Sequence, residues 1–274
     1  MTPAQEWEFL FECDKVCRTS ISGKDRFVQF RRLIPLLQSV HCILDIGGNP
    51  GTARWLRAAF PKSTVTIMNS SVEEIRQHPN AIQSDAQNFD LPTQFDLIFA
   101  GEIIEHVYNP DGLLGSCLLA LRPNGYLVIT TPNLACFYNR LFLLMGWSLG
   151  NSFASLRYLV GNPFMAKTGG HFGIIADHKS VFAWAGLREL LSLYGVRILA
   201  TAGYSYAQQE AFCCMGDREY RGPMPRIRFL LNRLLPKKLR EGMLFVCQRP
   251  EDFNEFHAKQ GRLRETVWNL HSVS

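Results

Sequence analysis

The sequence predicts an α/β fold, a doubly wound, mostly parallel sheet of about seven strands with an N-terminal helical cap and an inserted lid segment. Three observations predict it. Short apolar runs rich in β-branched and aromatic residues recur along the chain, helical periods separate them, and the first run ends in a glycine-rich turn. A chain of 274 residues suits one main core, and with 47% hydrophobic and 19% charged residues it is not a disordered polypeptide.

Residues 1–40 place Trp7, Phe9, Leu10, Phe27, Phe30, Leu33, Ile34, Leu36 and Leu37 at helical spacings, which predicts a helical cap ahead of the sheet. The sheet domain then spans 41–250. Its strands are expected at Cys42–Ile46, Val65–Met68, a short stretch ahead of Ser84, Phe95–Ala100, Tyr126–Thr131, Val196–Thr201 and Met243–Cys247. Helices are expected where Ala53, Leu56, Ala59 and Phe60 share a face, then Leu113, Leu114, Leu118 and Leu121, then Leu187, Leu190, Leu191 and Tyr194. Strand, helix, strand in repetition makes parallel neighbours, because each crossover needs an intervening helix. Residues 133–180 or so exceed an ordinary connection and read as a lid insert, and 251–274 as a tail.

Composition narrows the function. No apolar run is longer than the seven residues from Leu141 to Trp147, too short to span a bilayer. Glu6, Glu8, Glu12 and Asp14 occupy the start, where a secretory signal would be basic and then apolar, so a cytoplasmic protein is expected. The eight cysteines form no C-x-x-C pair, which predicts free thiols and no metal. The net charge of +5 is uneven, −3 for residues 1–136 (11 basic, 14 acidic) and +8 for 137–274 (18 basic, 10 acidic). Eight cations against Glu219 crowd the 218–240 region, a candidate for peripheral contact with the inner face of an anionic membrane. No nucleic-acid motif accompanies it, and no nucleic acid is expected as a partner.

The chemistry is carried by two stretches. Ile43-Leu44-Asp45-Ile46 runs into Gly47-Gly48-Asn49-Pro50-Gly51 and then a helix, a turn whose backbone amides and helix N-terminus suit a bound ligand. The glycines do not follow G-x-G-x-x-G, which argues against a nicotinamide-dependent oxidoreductase. The second stretch is Phe95-Asp96-Leu97-Ile98-Phe99-Ala100-Gly101-Glu102-Ile103-Ile104-Glu105-His106-Val107. His106 lies just past the carboxyl end of a strand, where open α/β sheets bind ligands, and its ordinary pKa suits a general base. His171 and His178, near the pair Gly169-Gly170, are candidates for a lid closing on substrate.

Together these residues resemble the class I S-adenosylmethionine-dependent methyltransferases. Asp45, Gly47 and Gly51 match Asp-x-Gly-x-x-x-Gly, residues 95–107 resemble F-D-x-[IV]…E-x-[IL]-E-H-[VL], and Leu121-Arg122-Pro123-Asn124-Gly125 is similar to a turn before the fifth strand. Thr131-Pro132-Asn133, Asn139-Arg140-Leu141, Gly146-Trp147 and His178 resemble the ubiquinone-biosynthesis-like subgroup. The resemblance implies a Rossmann-like sheet and S-adenosylmethionine as cofactor, held by Asp45, Gly47, Gly48, Asn49, Gly51, Asn69, Asp85, Ala86, Ala100 and Glu102. It implies methyl transfer to a small-molecule, glycan or lipid-linked acceptor, at oxygen if His106 takes the proton. Asn49 stands where the family has a glycine, and Asn69 where it has an acid. Those two residues leave an alternative open, a catalytically silent binding module on the same fold.

Overall fold

The computed structural model describes residues 24–76, 78–152, 160–163, 178–206, 231–232 and 234–253. Trp7, Phe9, Leu10, His171 and most of the basic 218–240 region lie outside the described residues. Helix α1 (Lys24–Leu33) and a 3-10 turn (Ile34–Leu36) come before the sheet. Strand β1 (Cys42–Ile46), α2 (Pro50–Ala59), β2 (Thr64–Asn69), the short α3 (Val72–Ile75) and β3 (Ala81–Gln83) form the first half. The second half is β4 (Phe95–Gly101), a 3-10 turn (Ile104–His106), α4 (Pro110–Ala120), β5 (Leu121–Pro132), α5 (Phe137–Leu144), α6 (Trp184–Leu193), β6 (Arg197–Tyr204), a 3-10 turn (Lys237–Leu239) and β7 (Gly242–Gln248).

The seven strands lie in the order β3-β2-β1-β4-β5-β7-β6, with β7 antiparallel to both its neighbours and the other pairs parallel. Their runs are continuously apolar because both faces are covered. On β4, Ile98 and Ala100 enter the cluster beneath α4 and α6, while Leu97 and Phe99 enter the cluster beneath α1 and α2. Strands β5 and β7 divide the same way, Ile129 and Phe245 to one side, Val128 and Leu244 to the other. Each large apolar side chain so buried contributes roughly 1.5–3 kcal/mol.

The predicted cap is met by α1, which seats Phe30 against Trp55 and Phe99 with ring centroids 5.5 and 5.4 Å apart. Polar ties fix it too, since Asp25 accepts from the backbone N–H of Ser205 at 2.8 Å. Leu121 to Gly125, expected as a turn before the fifth strand, belongs to β5 itself. A register shift between Phe95 and Leu97 absorbs it, and Asn124 takes the left-handed conformation, φ +62°, that asparagine tolerates better than most residues.

Candidate active site

The carboxyl ends of β1, β2, β4 and β5 converge on one edge, where parallel strands leave their crevice. The turn after β1 begins with Gly47 at φ +69°, a conformation that a side chain would strain. Gly48 answers to a different demand. A Cβ there would fall 2.1 Å from Oδ2 of Asp45, so the turn closes only over a hydrogen. Asp45 is fully enclosed, receives the Thr52 hydroxyl, and is pushed up to about 7 by burial against the opposing pull of Thr52 and Arg26.

Asn49 caps α2. Its Oδ1 accepts from the N–H groups of Gly51 at 2.9 Å and Thr52 at 3.1 Å, and Thr52 Oγ1 accepts from the N–H of Asn49 at 3.0 Å, a reciprocal capping box. Asn69, at the end of β2 as expected, donates from Nδ2 to the Gly48 carbonyl at 3.1 Å and accepts from Ser71 N–H at 3.0 Å. A carboxylate in its place could not make the first of these bonds. Asp85 closes a turn of its own by accepting from the Gln87 N–H at 2.9 Å, with Ala86 between them packed against the core. Gly51 is the second residue of α2, and Ala100 is buried within β4.

At the end of β4 the chain turns through Glu102, a non-glycine residue at φ +56°. Its backbone N–H donates to the Thr130 carbonyl at 2.9 Å, and its carboxylate gathers the hydroxyls of Tyr204 and Tyr206. Nη1 of Arg26 lies 3.6 Å from the same carboxylate and donates to Thr130 Oγ1 at 3.4 Å. Arg26 is buried, and its Nε has no acceptor among the described residues, so part of a cation's hydrogen-bonding capacity is unspent. Burial is the largest influence on Arg26 and opposes its charge, but Glu102, Tyr204, Tyr206 and Glu105 together outweigh it, leaving its pKa raised. Arg26, Tyr204 and Tyr206 were not among the residues singled out from the sequence, which contains no spacing that ties them to Glu102.

One turn further on, Glu105 is buried and accepts from the Thr131 hydroxyl at 2.9 Å. Burial, with Glu102 nearby, raises its pKa well above the usual carboxylate range. His106 lies beside it, Nε2 to Oε1 at 3.9 Å, and is about one-third exposed. Burial, with His178 beside it, lowers its pKa to about 4, so at neutral pH the imidazole is unprotonated and is a weaker proton acceptor than an ordinary histidine.

The structure brings His178 to His106, with ring centroids 5.0 Å apart and edge to face. Backbone bonds from Lys179 and Ser180 to the Glu105 carbonyl, at 2.6 and 3.1 Å, hold the two segments together. Donor atoms of Glu105, His106 and His178 fall within 4.8 Å of one another, a carboxylate and two imidazoles of the kind that can hold a divalent cation. The absence of metal-ligand spacing in the sequence concealed this trio, since its third member is supplied by a distant segment.

Residues 23–200, more than half of the chain, match the methyltransferase domain family. The mitochondrial ubiquinone biosynthesis O-methyltransferase of Schizosaccharomyces pombe is 30% identical over 101 residues, which cover 32% of this chain and 37% of that protein. The chain therefore aligns with well under half of that curated relative's length. Among solved structures, the plantazolicin methyltransferase BpumL, in complex with a triazolic desmethylPZN analog and SAH, superposes with a TM-score of 0.51 at 16% identity, over 90% of this chain and 92% of that one. A protein of Bacillus halodurans described as a methyltransferase gives 0.51 at 14%, over 83% and 100%. Similarity at these identities is one of fold. No helix among the described residues is long and apolar enough to cross a membrane.

Proposed function

The chain belongs to the methyltransferase domain family, of the class I S-adenosylmethionine-dependent kind, and from that premise we propose that it transfers a methyl group to an oxygen of a small-molecule, glycan or lipid-linked acceptor. One observation carries the reading: His106, about one-third exposed, stands one turn beyond the Glu102–Arg26 pair. An anion and a cation 3.6 Å apart match the ammonium and carboxylate of a methionine moiety. Asp45 and the turn from Gly47 to Gly51 would then line the nucleoside end.

In this reading S-adenosylmethionine, held by Glu102, Arg26, Asp45 and the turn from Gly47 to Gly51, would supply an electrophilic methyl carbon to the acceptor oxygen, with S-adenosylhomocysteine as the leaving group. His106 takes the acceptor's proton. The protein supplies alignment and exclusion of water, effects worth several kcal/mol, and the proton transfer adds about 10²–10⁴-fold in rate. A second reading rests on the Glu105–His106–His178 donor set. A divalent cation bound there would make the acceptor hydroxyl more acidic, in which case chelation would abolish transfer and added Mg²⁺ or Zn²⁺ would restore it.

The test is calorimetric titration with S-adenosylmethionine and S-adenosylhomocysteine, with NADH as control. We expect micromolar binding, about −8 kcal/mol, to the first two. Failure of both to bind would leave the catalytically silent module. With binding established, His106→Ala should slow transfer about 10²-fold or more while leaving cofactor affinity unchanged. Equal loss of both would remove His106 from the proton-transfer role.

A further inference from the structure

Gln87, half-buried in the loop after β3, has both ends of its side-chain amide bonded to functional segments. Its Oε1 accepts from the backbone N–H groups of Tyr108 at 2.8 Å and Asn109 at 2.9 Å, just past His106. Its Nε2 donates to both oxygens of Asp85, at 3.2 and 3.3 Å. The amide has one workable orientation. Turned over, its NH2 would face two N–H donors and its carbonyl would face a carboxylate. The backbone of Gln87 is committed as well. Its N–H donates to Asp85 Oδ1 at 2.9 Å, and a Cβ on Gly112, in the first turn of α4, would fall 2.3 Å from its carbonyl oxygen.

These bonds leave Asp85 room for a further donor. A carboxylate offers about four acceptor sites, and Oδ1 takes two of the Gln87 bonds while Oδ2 takes one, so a site remains on Oδ2. Asp85 is exposed, and it follows β3, whose last residue pairs with Asn69 at the end of β2. In the methyltransferase reading the matching donor is the amino group of the cofactor's adenine. On its other side Gln87 meets the segment from Glu105 to Asn109. That segment is held at its far side by Ser180, whose hydroxyl donates to the Val107 carbonyl at 3.0 Å, and by the N–H groups of Lys179 and Ser180 on the Glu105 carbonyl. His106 therefore lies between that anchorage and Gln87.

We propose that Gln87 is a positioning residue that presents the Asp85 carboxylate to the adenine amino group and carries occupancy of that site to the segment bearing His106. The proposal rests on the methyltransferase reading above and deepens it with a route by which bound cofactor readies the acceptor side. A donor on Oδ2 holds Asp85, Asp85 holds Nε2, and Oε1 in turn holds the N–H groups of Tyr108 and Asn109. A base that lacks the amino group sets an oxygen against Asp85 and breaks this chain at its first link.

The test compares S-adenosylhomocysteine with S-inosylhomocysteine, in which a carbonyl replaces the amino group, by calorimetry and by amide exchange on the full chain. Wild type should prefer the first about tenfold or more, and only the first should slow exchange at Tyr108 and Asn109, by about fivefold or more. Gln87→Glu keeps an acceptor for the two N–H groups but sets a carboxylate against Asp85, and Gln87→Leu keeps bulk alone. Both should cut the preference to under about threefold and abolish the slowing. A glutamine that merely supports the fold would alter the affinity for both ligands alike. That result, or exchange that still slows in both variants, would overturn the proposal. Asp85→Asn tests the reading beneath it, because its amide can donate to the inosyl carbonyl and should shift the preference toward S-inosylhomocysteine. An unchanged preference there would take adenine away from Asp85 and the proposal with it. A shift there, with both Gln87 variants behaving as wild type, would overturn the role of Gln87 and leave the methyltransferase reading standing. Binding of neither ligand to wild type would overturn both.

Discussion

At the turn after β1, Asn49 and Asn69 spend their polar atoms on backbone groups of that turn and of the residues just after β2, while at the end of β4 Glu102 gathers partners as distant as Tyr206, 104 residues along the chain. Both sets stand at the same edge of the sheet. The first is satisfied within itself, so its residues set the shape of the backbone that a ligand would approach. The second joins α1, β4 and β6, and it leaves a buried cation with hydrogen-bonding capacity to spare. A locally closed set should therefore answer substitution chiefly in stability, and a long-range open set chiefly in binding.

The largest effect that could break this division belongs to Asp45. Its folded carboxyl titrates at about 7 because of burial, above its unfolded value, so the folded state binds the proton more tightly. Stability therefore falls as pH rises from about 4 to about 7 and then levels off. An asparagine at this position would not titrate, and urea melts should show the Asp45→Asn variant gaining on wild type by about 4 kcal/mol between pH 4 and pH 8. A pH-independent difference would mean that the carboxyl is not held in this way.

Next in size is Arg26→Ala. Removing one member of a buried charge pair typically costs about 2–5 kcal/mol. We expect S-adenosylmethionine affinity to fall at least 30-fold or so, about 2 kcal/mol, as read by calorimetry. A change under twofold in a folded variant would erase the distinction between the two sets.

Gly48→Ala should destabilise by about 2 kcal/mol, because the new methyl overlaps the Asp45 carboxylate. The sharper form is a double-mutant cycle. Combined with Asp45→Ala, the two changes should cost less than their sum by about 1 kcal/mol, and strict additivity would show that Gly48 does not meet Asp45. The smallest effect is at the helix cap: Asn49→Ala should cost about 1 kcal/mol in thermal or urea melts, and Asn49→Gly a few tenths. Equal losses for the two would take Asn49 out of the cap.

Much of this protein was legible in its residues. Every expected strand and helix within the described residues formed, since continuous β-branched runs have few options other than a strand covered on both faces. The glycine turn was legible for a similar reason, its residues being neighbours in the chain. Its chemistry was harder to read, because Asn49 and Asn69 look like losses beside the family pattern yet each is bonded to backbone groups, Asn49 through Oδ1 and Asn69 through both amide atoms. Glu102 was read from its position alone, and the partners that define it were not.

What the sequence by itself determined is what short-range physics controls: the alternation of strands and helices, and the glycine turn after β1. Tertiary structure decided what depends on the meeting of distant segments. It set Arg26 and two tyrosines around Glu102, brought His178 to His106, and turned the apolar stripe of α5 outward by burying Asn139. Periodicity reports that a helix has an apolar face but not which way that face points. Direction comes from the neighbours, and for α5 three hydrogen bonds to one asparagine chose it.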